Sequence, residues 1–281
     1  MGKIAGVAKM KRTVFFISDG TGITAANLGQ SLLTQFDGIQ FETITIPYVN
    51  SIEKANQVVA KIEHVFRAEG KKPLVFATFV NPDIHQIIVT SPALILDFFK
   101  IFIGPLEEEL GEKSSHTVGR AHGLKNYEDY MIRINAVNYT LSNDDGANIH
   151  DYNESDVILI GVSRCGKTPT CLYMALHFGL RAANYPLTSD DLSQLHLPKF
   201  LKNFRHKIFG LTIEPQRLHH IRQERRPHSD YSSRARCQRE INEALTLFKN
   251  EKIPYLDTTH RSIEEIAAEI IAQTGVKKRL Y

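Results

Sequence analysis

The chain has 281 residues, 42% hydrophobic and 23% charged, with a formal charge of +3. That balance excludes a disordered or fibrous protein, and so small a net charge leaves no electrostatic footprint for nucleic acid. Three cysteines (Cys165, Cys171 and Cys237) form no CxxC pair, so neither a disulfide framework nor a zinc site is expected, which fits a reducing compartment.

The opening residues, MGKIAGVAKMKR, lack the apolar run of a signal peptide, and no Ser or Thr stands where a myristoylation signal after Gly2 needs one. The most apolar stretch, Pro92 to Gly104, is interrupted by Asp97 and Lys100 and falls short of the roughly 20 residues of a spanning helix, so it reads as a packed helix. No membrane association is expected, and the location expected is cytoplasmic.

At roughly 100–200 residues per domain, the length predicts two domains. Short apolar runs alternate with helical patterns, as in parallel sheets covered by helices. Thr13–Ile17 reads as a strand, SDGTG as a turn, and Thr24–Phe36 as a helix; Phe41–Ile46 is a second strand. Ile52–Glu69 carries one apolar face and is predicted helical, and Pro73–Phe79 is a third strand. Leu106–Tyr127 reads as a long loop and Tyr130–Leu141 as a helix. The polar run Asn143–Asp156 is the expected linker, dividing an N-terminal α/β domain (1–150) from a kinase-like parallel-sheet domain (151–281). Beyond it, strands are expected at Val157–Ile160, Leu180–Asn184, Lys207–Ile213 and Ile253–Leu256, with helices running to Phe178 and over Ser262–Thr274, the last opened by a Ser262/Glu265 capping box.

Gly161, Val162, Ser163, Arg164, Cys165, Gly166, Lys167 and Thr168 match G-x-x-x-x-G-K-[ST] in full, between an apolar strand and a helix. Glycines let successive backbone N–H groups point at phosphate oxygens, and the helix N-terminus reinforces them. These eight residues are therefore the expected nucleotide site. Lys167 is expected on the outer phosphates, and the Thr168 hydroxyl on a magnesium ion. Cys165, at a helix start, is expected to have a lowered thiol pKa and to be protected by nucleotide; Cys171 reads as a core residue. No N-K-x-D guanine signature follows the loop, and the one D-x-x-G, Asp19–Gly22, precedes it. Asp257, ending Tyr255-Leu256-Asp257, is either a magnesium-shell residue or a turn residue.

Seven arginines and two acids occupy Arg217–Arg239. Arg222, Arg225 and Arg226 fall on neighbouring helical positions and read either as a lid that closes on the transferring phosphoryl group or as a solvated basic face. Asp19, in the turn after the first strand, is a candidate base or a helix cap. His116, His122 and the pair Asp144-Asp145 read as turn or surface groups. These features admit a protein kinase, an ATP-dependent small-molecule kinase or a nucleotide-switched binding module.

SDGTGITA (Ser18–Ala25), RAHGL (Arg120–Leu124), DDG (Asp144–Gly146), DVILIGVSRCGKTPTCLY (Asp156–Tyr173), RAANYPL (Arg181–Leu187) and IRQERR (Ile221–Arg226) resemble blocks of the bacterial regulatory proteins of phosphoenolpyruvate synthase and of pyruvate phosphate dikinase. The dikinase regulators carry Thr-Ser before the lysine where this chain has Cys165-Gly166, which resembles the synthase branch. The resemblance implies a bifunctional enzyme. It would use ADP as donor, with Mg2+, to phosphorylate a threonine of phosphoenolpyruvate synthase and inactivate it. It would reverse this with inorganic phosphate, releasing pyrophosphate. The nucleotide would lie on Gly161–Thr168. The sequence leaves open the base and whether the chain forms a homo-oligomer.

Overall fold

In the computed structural model, which describes residues 10–115 and 127–280, two compact units divide the chain, Met1–Gly123 and Leu124–Tyr281. Residues 127–150, which the sequence reading places in the first domain, pack in the second unit.

The first unit is built on strand β1 (Met10–Ser18), whose last six residues are buried. Alternate side chains of a strand face opposite sides of its sheet, and β1 uses both. Phe15 and Ile17 join Ala55, Val58 and Ile62 of helix α2 (Ile52–Glu69) and Ile84 and Ile88 of α3 (Pro82–Val89). Val14 and Phe16 face Ala25 and Leu33 of α1 (Ile23–Leu33) and Phe98 of α4 (Phe98–Leu110). The remaining strands are β2 (Ile39–Ile46), β3 (Leu74–Thr78) and β4 (Leu94–Asp97). All pairings are parallel, in the order β2-β1-β3-β4. Pro92–Gly104 is therefore not one helix. Asp97 ends β4 and caps α4, its Oδ1 accepting from the N–H of Phe99 at 3.0 Å, so the apolar run is cut in two.

The second unit opens with α5 (Tyr127–Ser142) and holds strands β5 (Val157–Gly161), β6 (Ala182–Pro186), β7 (Ile208–Thr212) and β8 (Tyr255–Asp257), again all parallel, ordered β6-β5-β7-β8. Around them lie α6 (Lys167–Phe178), α7 (Ser189–Gln194), α8 (Pro215–Arg225), α9 (Arg234–Asn250) and α10 (Ile263–Thr274). The capping box expected on α10 is present, with the Ser262 hydroxyl accepting from Glu265 N–H and the Glu265 carboxylate from Ser262 N–H. The expected linker is not a linker. Asp144–Gly146 and Ile149–Glu154 are short 3-10 turns, and Tyr152 within the second is fully buried with its hydroxyl donating to the Asn184 carbonyl at 3.0 Å. Polar composition misleads there because these side chains bond to nearby backbone carbonyls, to Thr168 and to Asn184 of β6. Among the described residues no helix is long and apolar enough to cross a membrane.

Candidate phosphate-binding site

Strand β5 is buried along its whole length and ends at Gly161. A Cβ there would lie 2.3 Å from the Leu211 carbonyl oxygen, so only glycine lets the loop leave the sheet beside β7. The loop turns through two left-handed residues, Arg164 (φ 77°) and Gly166 (φ 94°), and α6 starts at once with Lys167. No side chain caps that helix start, and an uncapped helix N-terminus presents backbone N–H groups and a positive dipole end to an anion. Pro169 lies in the first turn, where a missing N–H costs nothing.

Lys167 is 4% exposed, and its ammonium donates to the Val162 carbonyl of the same loop at 2.9 Å. The Thr168 hydroxyl donates to Asp144 Oδ1 at 2.7 Å. A cavity of about 200 Å3 opens between them, lined by Asp145, Ser163, Arg164, Gly166, Lys167 and Thr168. The eight residues expected at the site are thus one continuous loop and helix start, and Ser163, Arg164, Gly166, Lys167 and Thr168 share that cavity.

Sequence reasoning missed the acids. Asp144 and Asp145, expected in a surface turn, stand against the loop. Fully buried Asn184 on β6 holds both, its Nδ2 donating to Asp144 Oδ1 at 2.5 Å and its Oδ1 accepting from the Asp145 N–H at 3.2 Å. Gly146 closes the turn at φ 77°, where a Cβ would meet the Tyr185 ring at 2.9 Å. The available signal was the compact Asp-Asp-Gly itself, since two acids before a left-handed glycine make a turn whose side chains have a fixed aim.

Arg222 reaches the loop from behind. It is 1% exposed, and its guanidinium donates to the carbonyls of Ser163 and Tyr231, both at 3.1 Å, and to Glu240 Oε2 at 2.7 Å. It also lies 4.2 Å over the Tyr231 ring, whose hydroxyl shares a 2.9 Å hydrogen bond with Ser163 Oγ. A buried, ion-paired arginine cannot act as a mobile lid. Arg222 is a strut that fixes the loop's backbone, and the correction follows from Glu240, which sits one helix away and neutralises it. Arg225 and Arg226 are exposed and do not line the cavity.

Other expected groups lie elsewhere. Asp19 is 6% exposed, and its Oδ2 accepts from the N–H groups of Val80 and Asn81 at 2.7 and 2.9 Å. Its carboxylate ties the β3–α3 connection of the first unit and caps no helix α1. Asp257 accepts from the Thr259 N–H at 2.8 Å, as a turn residue does, and the contact with the loop comes from its neighbour Thr258, whose hydroxyl donates to the Cys165 carbonyl at 3.1 Å. Cys165 is 1% exposed and burial pushes its thiol pKa up, against the expected lowering. Cys171 is a core residue, as expected. His116, His122 and Arg120–Leu124 lie outside the described residues.

Magnesium prefers oxygen donors, keeps several waters and commonly takes phosphate oxygens with one or two protein ligands. Thr168 suits such an ion beside bound phosphates: its hydrogen is committed to Asp144, which leaves an oxygen lone pair free. Among the described residues no three His, Cys, Asp or Glu side chains gather into a protein-only metal cage.

Fold and site define a class, an α/β protein with a candidate phosphate-binding loop at the end of the first strand of its second sheet. The chain belongs to the kinase/pyrophosphorylase family, whose model matches residues 14–271. It is 54% identical over 270 residues to a protein of Pseudomonas fluorescens strain Pf0-1 named as a phosphoenolpyruvate synthase regulatory protein, covering 96% of this chain and 99% of the relative. Proteins of the same name from Ectopseudomonas mendocina (54% over 271 residues, 96% and 100% covered) and Pseudomonas aeruginosa PAO1 (52% over 271 residues, 96% and 99% covered) are similar over the same length.

Proposed function

We propose that the chain is a bifunctional protein kinase and phosphorylase acting on phosphoenolpyruvate synthase. In one direction the β-phosphoryl group of ADP passes to a threonine hydroxyl of the target, leaving AMP and switching the target off. In the other, inorganic phosphate attacks the phosphothreonine, giving pyrophosphate and the free threonine.

The observation that carries this reading is the cavity that Arg164, Lys167 and Thr168 line together at the uncapped start of α6. Lys167 and Arg164 would neutralise charge on the phosphoryl group in flight, and the helix start would hold the phosphate beside it. Bound there, Mg2+ would supply further neutralisation, with Thr168 as its ligand and Asp144 fixing that hydroxyl. A cradle that binds the β-phosphate of ADP also suits free phosphate as nucleophile and pyrophosphate as product. Support for the target comes from the names of relatives similar along nearly the whole chain.

The test is to incubate the full chain with phosphoenolpyruvate synthase and ADP labelled at the β-phosphate. Label on a target threonine with stoichiometric AMP is expected, and phosphate added to the labelled target should release labelled pyrophosphate. Transfer from ATP alone, or to small molecules alone, would overturn the reading.

A further inference from the structure

The first unit has a cavity of its own, at the ends of β3 and β4. We infer that it binds a small monocarboxylate with an aromatic or branched apolar body, the carboxylate met by Lys100 and the body by the walls that include Phe79 and Ile103. This site is independent of the phosphoryl transfer proposed above.

The cavity measures about 300 Å3 and lies outside the carboxyl ends of the two strands. Open α/β sheets bind ligands on that side. Ligand pockets run from roughly 300 to 1,000 Å3, with mostly apolar walls and a few convergent polar groups. Here Phe79 and Val80 follow β3, Pro82 opens α3, and Phe99 and Ile103 come from α4. Among them stands a buried titratable pair, His85 and Asp97. Nε2 of the first is 3.6 Å from Oδ2 of the second, and their side chains are 13% and 3% exposed. The His85 ring stands nearly perpendicular to the Phe79 ring, with centroids 6.4 Å apart.

The ligand that fits follows from which polar groups the fold has already engaged. Asp97 Oδ1 accepts from the N–H groups of Phe99 and Lys100 at 3.0 and 3.4 Å, and its Oδ2 has His85 beside it. Glu107 accepts from the Ser114 N–H at 2.7 Å and pairs with the Lys113 ammonium at 3.1 Å, contacts that hold its pKa down at about 2. Both acids are thus satisfied anions. Burial keeps the His85 pKa below its ordinary value, against the pull of Asp97, so the ring is a neutral wall. Lys100 remains. Its ammonium makes no hydrogen bond or ion pair among the described residues, and it lines the cavity.

One unengaged cation beside apolar walls matches one negative charge on an apolar body. A phosphate dianion carries more charge than Lys100 can balance, and the carboxylates of Asp97 and Glu107 would repel the surplus. A neutral body of the same shape would make no use of the ammonium. A carboxylate without a body would leave Phe79, Val80, Phe99 and Ile103 in contact with water.

The full chain is titrated by calorimetry with two probes, hydrocinnamate and isocaproate, while the methyl signals of Val80 and Ile103 are followed by NMR. At least one probe should bind and shift both residues' signals. Acetate, and the amide of the probe that binds, should each bind at least about tenfold more weakly. Lys100→Met keeps an apolar stem and removes the charge. The Lys100 ammonium bonds to nothing, so thermal unfolding should be unchanged while probe affinity falls at least about tenfold. Ile103→Phe narrows the cavity and should weaken binding by a similar factor. The site is overturned if neither probe shifts the two residues, or if the amide binds as tightly as the acid. Lys100→Met binding within about twofold of wild type would overturn the role of the ammonium. Ile103→Phe binding as wild type does would place the probe outside this cavity.

Discussion

The two units place a glycine turn at the same point of the same topology. Each sheet runs second-first-third-fourth in strand order, and in each the first strand delivers a turn whose last glycine is left-handed, Gly22 at φ 77° and Gly166 at φ 94°, before a helix with no side-chain cap. Open α/β sheets bind ligands at that point. Yet the turns are finished differently. In the first unit Asp19 spends its carboxylate on two N–H groups of the β3–α3 connection and leaves the helix start uncapped, while Ser18 and Thr78 bond to each other at 3.0 Å. In the second, Asp144 bonds to Thr168 of the loop, and Asp145 lines the cavity together with the loop's cations, Lys167 and Arg164. Topology sets where a site can be. The polar groups around it differ between the two units.

The severest way to break this comparison is Lys167→Ala. If the second loop alone handles phosphate, phosphoryl transfer should drop about 100- to 1,000-fold, measured with labelled ADP. Unfolding free energy should change by only about 1 kcal/mol, because one hydrogen bond to Val162 is lost. Arg222→Ala comes next. It leaves Glu240 buried with one of its two arginines gone, and should cost about 3–5 kcal/mol in chemical denaturation. A cost under about 1 kcal/mol would return Arg222 to the role of a lid.

Asp19→Ala sharpens the contrast from the other side. Two part-buried N–H groups lose a charged acceptor, so about 1–3 kcal/mol of stability should go, read by urea unfolding, with both transfer activities intact. Selective loss of phosphorolysis without destabilisation would place a second phosphate site in the first unit. The smallest effect concerns Cys165. Its thiol is 1% exposed with its pKa pushed up by burial, so alkylation should be slow both with and without ADP. Rapid labelling that ADP suppresses would show the loop opening on its own.

How legible these regions are in the sequence follows from how local their contacts are. The Gly161–Thr168 loop is eight consecutive residues behind an apolar strand, and its geometry is carried by its own backbone. Helix α2 is equally local: Ser51 caps it by accepting from Lys54 N–H at 3.2 Å, and its bounds are those its apolar face predicts. Asp144 and Asn184 are forty positions apart, and only the pairing of β5 with β6 brings the turn and the amide together. Arg222 looks like surface charge because its partner, Glu240, lies eighteen residues on in a separate helix. The strand at Leu94–Asp97 was hidden for another reason: the apolar run continues through it, and the break is a capping interaction by a single Asp97 carboxylate.

The strut under the loop also orders events during synthesis. The ribosome releases residues 161–168 well ahead of Arg222, and Glu240, which neutralises it, comes later still. At about 5–20 residues per second, the interval from loop to Glu240 is on the order of several seconds. During that time strand and glycines exist without the guanidinium that holds the Ser163 carbonyl. A nascent chain therefore carries the motif before it carries the cradle, and nucleotide capture should begin only once α9 has emerged and docked.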